Sequence, residues 1–137
     1  MKFTNEYLKS LIELIDKFDK KSINELVKQL SKLKKNNGRL FIIGVGGSAG
    51  NASHAVNDFR KICELECYAP TDNVSELTAR TNDEGWGNSL FPYLKVSKLT
   101  KKDAILIFSV GGGNKKKNIS TNIINAIDFA KKKRSKV

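Results

Sequence analysis

The sequence predicts an α/β fold, a three-layer parallel sheet preceded by an N-terminal helical hairpin, and three observations carry that prediction. Residues 40–45 are a continuous apolar run and residues 104–110 a second one interrupted only by Ser109, as expected of strands buried on both faces. Each run opens into a glycine-rich loop that leads to a helical stretch, the strand–loop–helix order of a parallel sheet. Residues 1–38 instead repeat apolar side chains at helical spacing. A chain of 137 residues has room for one core, so a single domain over 1–137 is expected, with helices over 1–38 and the α/β core over 39–137.

The elements follow in order. Leu8, Leu11, Ile12, Ile15 and Phe18 define one buried face of a first helix. Ser22 with Glu25 three residues on forms a capping box for a second helix, whose apolar face is Ile23, Leu26, Val27, Leu30 and Leu33. Asn36-Asn37-Gly38 ends it, because Asn and Gly tolerate the left-handed backbone of a helix C-terminus. After the first strand, Gly46-Gly47-Ser48 form a loop and residues 49–61 a helix. A weaker strand is expected near 65–68, a turn at 70–73, a short helix at 76–80 and a loop at 82–85. A helix over 88–96 would hold Pro92 best in its first turn. The strand over 104–110 is followed by a loop at 111–114 and a helix over 119–133.

Composition excludes several classes. Hydrophobic residues make up 39% and charged residues 28%, ordinary values for a globular chain. No apolar run approaches the ~20 residues of a membrane span, so no membrane partner is expected. The start has no apolar stretch with a small-residue cleavage site, so no signal peptide is expected. Two cysteines, Cys63 and Cys67, are too few for a disulfide framework and point to a reducing, cytoplasmic setting. They stand four apart, but a zinc site would need two more soft ligands, and buried thiols are the expectation.

The net charge of +11 is unevenly spread: +5 over residues 1–40, −4 over 41–94 and +10 over 95–137. Only four of the 25 basic residues are Arg, and the lysine runs at 115–117 and 131–133 contain no aromatics. Nucleic-acid sites favour Arg forks and interleaved rings. The lysines therefore read as solvated faces, with nucleic-acid binding the least favoured alternative. Lys115, Lys116 and Lys117, beside the second glycine loop, are placed to attract an anion.

The chemistry is expected in the acidic middle. Open α/β sheets bind ligands beyond the carboxyl ends of their strands. Glycine lets the backbone approach an anion, and a helix N-terminus offers free N–H groups. Gly46, Gly47 and Ser48 in the first loop, and Ser109, Gly111, Gly112 and Asn114 in the second, are the candidate phosphate-binding groups. The first loop also satisfies G-x-G-x-x-A with Glu64 about twenty residues on, so a dinucleotide site remains an alternative. The helix behind it is polar, with Asn51, Ser53, His54, Asn57 and Asp58. His54 and Asp58 share a face four residues apart, a spacing that suits a metal, an acid–base pair or a surface hydrogen bond. Trp86 in Asp83-Glu84-Gly85-Trp86-Gly87 is either a core anchor or a pocket wall.

Gly44-Val45-Gly46-Gly47-Ser48, followed by His54 and an acid four residues later, resembles the sugar isomerase (SIS) domain, and within it the phosphoheptose isomerase group. The similarity continues through Thr81-Asn82-Asp83 and the strand–loop–helix over 103–130, nearly the whole chain. The resemblance implies isomerisation of sedoheptulose 7-phosphate to D-glycero-D-manno-heptose 7-phosphate through an enediol. It assigns Ser48 to substrate binding, His54 to a metal ligand and Asp58 to the catalytic, metal-binding carboxylate. Asp83 falls in the pocket-lining Asn-Asp segment and Ser109 at the start of the phosphate loop. Zinc as cofactor, a phosphorylated sugar as ligand and a homo-oligomer, dimer or tetramer, are implied as well.

The sequence departs from the group's pattern at several points. Val45 replaces a loop Asn, and Asp58 replaces a Glu and is shorter by one methylene. The second loop, Ser109-Val110-Gly111-Gly112-Gly113-Asn114, has fewer hydroxyls than the group's and relies on backbone N–H donors. By the resemblance the chain corresponds to the front of the domain, with the last strands missing. The group's second catalytic histidine lies further on, and His54 is the one histidine here. A non-catalytic sugar-phosphate-binding or regulatory SIS module is therefore the alternative to an isomerase.

Overall fold

A computed structural model describes residues 1–137, which divide into two compact units, Met1–Lys32 and Leu33–Val137. In the first unit, α1 (Lys2–Asp16) has no buried residue. Leu8, Leu11, Ile12, Ile15 and Phe18, expected as a buried face, are 40–62% exposed, as are Ile23 (48%), Leu26 (44%) and Val27 (56%) of α2 (Lys20–Lys35). The helical spacing is realised, but a stripe is buried only where another surface covers it. The start of α2 also differs from the expected capping box. Asp19 is the cap, its carboxylate accepting from Lys21 N at 2.9 Å and from Ser22 Oγ at 2.6 Å.

The end of α2 is as expected. Asn37 takes φ +52°, Asn37 N donates to Lys34 O at 3.0 Å and Gly38 N to Leu33 O at 3.0 Å, the paired bonds of a Schellman motif. The chain then enters β1 (Leu40–Gly44), the central strand of a parallel sheet ordered β2-β1-β3, with β2 (Cys67–Tyr68) and β3 (Ala104–Phe108) on either side.

All five residues of β1 are buried. Phe41 and Ile43 pack with Leu90, Leu94, Ile105 and Ile123, beneath α5 (Phe91–Val96) and α6 (Thr121–Lys132). Ile42 points to the opposite face by strand alternation, where α3 (Gly47–Lys61) lies against β1 and buries Ala52 and Val56. These are the three layers. β3 is less covered than its apolar run suggested: Ile105 is buried, while Ala104 and Leu106 to Phe108 are half-buried. It flanks the sheet, and its outer side carries one parallel bridge, Ala104 with Lys136.

Two other expectations are revised. The short helix at 76–80 and loop at 82–85 are one helix, α4 (Val74–Glu84), so Asn82 and Asp83 are helical. Its N-cap Asn73 accepts from Glu76 N at 3.1 Å, and Arg80 pairs with Glu76 at 2.9 Å and Glu84 at 3.1 Å. The expected helix over 88–96 is a 3₁₀ turn (Trp86–Asn88) followed by α5, which has Pro92 in its first turn.

Candidate functional site

β1 and β3 are paired in parallel with Leu40 opposite Ala104 and Gly44 opposite Phe108. That register sets the first glycine loop beside Ser109 and the second loop, at one level above the sheet. Gly44 is required by close approach, since a Cβ there would lie 2.1 Å from the Ser48 carbonyl oxygen. Gly46 is required by its backbone, φ +61° and ψ −128°. Gly44→Ala forces backbone against backbone and is expected to cost roughly 1–3 kcal/mol in urea unfolding. Gly47→Ala, where a Cβ meets nothing within 4 Å, is expected to leave the midpoint nearly unchanged; equal losses would contradict this loop geometry.

The first loop is tighter than expected, because α3 begins at Gly47 and takes Ser48 into its first turn. Ser48 N donates to Val45 O at 3.2 Å and Ala49 N to Gly46 O at 2.9 Å. Gly46 and Gly47 are exposed and Ser48 half-buried. In the second loop Gly112 N donates to Ser109 Oγ at 3.1 Å, which leaves the Ser109 hydroxyl proton free to donate outward. Asn114 bridges Ile119 across a turn, and its Oδ1 accepts from Lys117 N at 3.0 Å. The loop therefore reaches α6 through this turn rather than directly. Lys115 is held by Asp128 at 2.6 Å, and that hydrogen bond keeps the Asp128 carboxyl below its ordinary range.

On α3, His54 Nε2 lies 3.4 Å from Asp58 Oδ2, with the two side chains 78% and 47% exposed. Asn57 Nδ2 donates to Asp58 Oδ1 at 3.2 Å, and Asn51 is exposed one turn before His54. Asp83 is exposed in the last turn of α4 and accepts from Asn82 Nδ2 at 2.8 Å. Sequence reasoning missed one link: the Ser53 hydroxyl donates to Asp72, fastening α3 to the turn after β2. A cavity of about 560 Å³ beside that link is lined by Val56, Arg60, Tyr68 and Tyr93 and includes neither His54 nor Asp58.

A catalytic zinc takes three protein ligands. His54 and Asp58 are two, and no cluster of three or more His, Cys, Asp or Glu able to hold a metal exists in the chain. His54 and Asp58 are the two residues of this chain placed to serve as donors to such an ion.

The cysteines divide. Cys67 is buried, as expected, and burial pushes its thiol up to about 12, whereas Cys63 is exposed at the end of α3. A thiol reagent at pH 8 is expected to label Cys63 and spare Cys67 until the chain unfolds, read by mass spectrometry. Equal labelling would contradict the burial of Cys67. Trp86 is half exposed in the 3₁₀ turn and anchors no core.

The two glycine loops stand side by side at the carboxyl ends of adjacent parallel strands, the place where open α/β sheets in general bind ligands. The SIS domain family profile matches residues 3–137, and the chain belongs to that family. It is 30% identical over 131 residues to the phosphoheptose isomerase of Helicobacter pylori, covering 92% of this chain and 62% of that protein. It is 31% identical over 110 residues to phosphoheptose isomerase 2 of Campylobacter jejuni, covering 77% and 51%. The chain thus spans between half and two thirds of these relatives' length. Solved phosphoheptose isomerases from Neisseria gonorrhoeae (22% identical, covering 98% of this chain and 70% of that one) and Francisella tularensis (24%, 99% and 72%) share the fold, each with a TM-score of 0.84.

Proposed function

We propose that the chain is a sugar-phosphate-binding SIS domain acting as a sedoheptulose 7-phosphate isomerase. The observation that carries the proposal is the His54–Asp58 pair on the helix opened by the first glycine loop, with the second loop in register beside it. In this reading the phosphate sits on the second loop, taking the Ser109 hydroxyl and backbone N–H groups around Gly111 and Gly112. Gly46, Gly47, Ser48 and Asn51 hold the sugar, with Asp83 and the side chain of Asn114 at its edge. The Asp58 carboxylate removes the proton from the carbon beside the carbonyl, giving the enediol, and returns it to the neighbouring carbon. His54 moves the proton between the two oxygens and stabilises the charge developing there. The zinc implied by the family would have His54 and Asp58 as its donors here, so no step is assigned to it.

The uncovered apolar faces of α1 and α2 favour assembly with further copies of the chain, a dimer or tetramer. A cytoplasmic setting fits the exposed, unpaired thiol of Cys63. The exposure of the pair, 78% at His54 and 47% at Asp58, favours a second reading, a module that binds the sugar phosphate without turning it over.

Proton NMR of sedoheptulose 7-phosphate in D₂O with the protein separates the two. Deuterium entering C1 of the ketose phosphate and C2 of the aldose phosphate, with the aldose phosphate appearing, is the expected result. Saturable binding without exchange overturns the isomerase and leaves the binding module.

A further inference from the structure

Lysines scattered through the sequence converge on one end of the sheet, the end opposite the glycine loops. The end of α2, the turn before β3 and the segment after α6 all meet at the amino ends of β1 and β3. Arg39 Nη2 donates to Lys98 O at 3.2 Å, Ala104 N to Arg39 O at 2.9 Å and Lys136 N to Asp103 O at 3.3 Å. The 33–39 segment and the turn are in contact as well: a Cβ on Gly38 would lie 2.1 Å from Lys102 O. Lys35, Lys98, Lys101, Lys102, Lys133 and Arg134 are all exposed around this junction.

The acids there offset them only in part, with Glu66 acting on Arg39. Asp103 is buried and taken by Arg39 at 2.9 Å. Glu64 pairs with Lys34 at 3.7 Å and Glu66 accepts from Tyr68 Oη at 2.9 Å, both next to β2, across β1 from β3. The sequence alone showed separate lysine runs; the fold makes them one cationic surface.

We propose that this surface docks on the phosphate backbone of a double-stranded nucleic acid without reading its sequence. Compact ammonium groups on long flexible stems match a dense lattice of phosphates, which supplies non-specific affinity by counterion release. The ring found among these six cations, Phe129, is half-buried and covered by Lys133 Nζ at 5.6 Å, so it is not free to stack on a base or anchor in an acyl layer, and neither single strands nor a membrane fit as well. The surface is separate from the glycine loops, and its failure leaves the isomerase reading untouched.

The test is fluorescence anisotropy of two unrelated 20-base-pair DNA duplexes with the full chain at 50 and 200 mM NaCl. Equal affinity for both duplexes is expected. If about five phosphates are neutralised, the loss over that salt range is several hundredfold, from a slope of about −0.9 per phosphate. The double variant Lys101→Glu, Lys102→Glu is expected to lose at least tenfold in affinity and about two units of salt slope, and Lys35→Glu, Lys98→Glu to behave alike. Lys116→Glu, Lys117→Glu makes the same charge change beside the second loop and is expected to lose far less. No binding at 50 mM salt, equal losses in all three variants, or binding to anionic phospholipid vesicles but not to duplex overturns the proposal.

Discussion

Replacing Asp103 with alanine is expected to destabilise the chain by about 2–4 kcal/mol, the cost of taking a buried carboxylate away from a half-buried guanidinium and two backbone N–H groups. Asp103 is 4% exposed and sits where three segments meet. Its carboxylate accepts from Arg39 N (3.0 Å), Nε (3.2 Å) and Nη2 (2.9 Å) and from Thr100 N (2.8 Å) and Oγ1 (3.1 Å). Its carbonyl oxygen accepts from Ser135 Oγ at 2.8 Å. Alanine leaves the Arg39 guanidinium with Lys98 O as its one remaining acceptor and two backbone N–H groups with none, so the melting temperature is expected to fall on the order of 10 °C. Asn, which keeps the shape and loses the charge, is expected to fall between alanine and the natural residue. Burial by itself raises the Asp103 carboxyl, but the bonds from Arg39 and Thr100 outweigh it and hold the group below its ordinary range. A carboxyl lowered in the folded state contributes stability that is full above its unfolded value, about 3.9, and is lost as pH falls through the folded value. The natural chain is therefore expected to lose stability more steeply than Asp103→Asn below about pH 4, followed by fluorescence. Parallel acid profiles would contradict the pairing.

Asp58→Asn is expected to lower turnover of sedoheptulose 7-phosphate by about 10²–10⁴-fold, the usual share of a positioned base. The group is half exposed on α3, so the melting temperature is expected to stay nearly unchanged. Asp58→Glu restores the methylene by which this chain departs from its relatives' pattern. A catalytic group misplaced by ~1 Å can cost about a hundredfold, so the Glu variant is expected to turn over faster than the natural chain by up to that factor. Unchanged turnover in Asp58→Asn would remove the carboxylate from the mechanism. Slower turnover in Asp58→Glu would mean that the loops have set the substrate for the shorter side chain.

What the sequence reveals depends on how local the physics is. The end of α2 was legible because Asn36-Asn37-Gly38 encodes its own backbone, and β1 because five consecutive buried residues need no partner to declare them. The His54–Asp58 contact followed from one helical turn of spacing. α4 was cut short although Asn73 with Glu76, and Glu76-Arg80-Glu84, carry a cap and a charge ladder that span it. The half-buried state of β3 was hidden because an apolar run does not say where its strand falls in the sheet order. The Ser53–Asp72 link joins residues from different elements, which no spacing rule reaches. The faces of α1 and α2 were read correctly as apolar, but what covers such a face is not encoded in the helix itself.

The two glycine loops and the α3 pair form one account: backbone groups hold a phosphate while a carboxylate moves a proton. A sugar phosphate is expected to sit on those loops. Amide chemical shifts during titration with sedoheptulose 7-phosphate test this most directly. Gly46, Gly47, Gly111 and Gly112 are expected to shift with the phosphorylated sugar and stay in place with sedoheptulose. No shift at these glycines, or the same shifts with the unphosphorylated sugar, would contradict it.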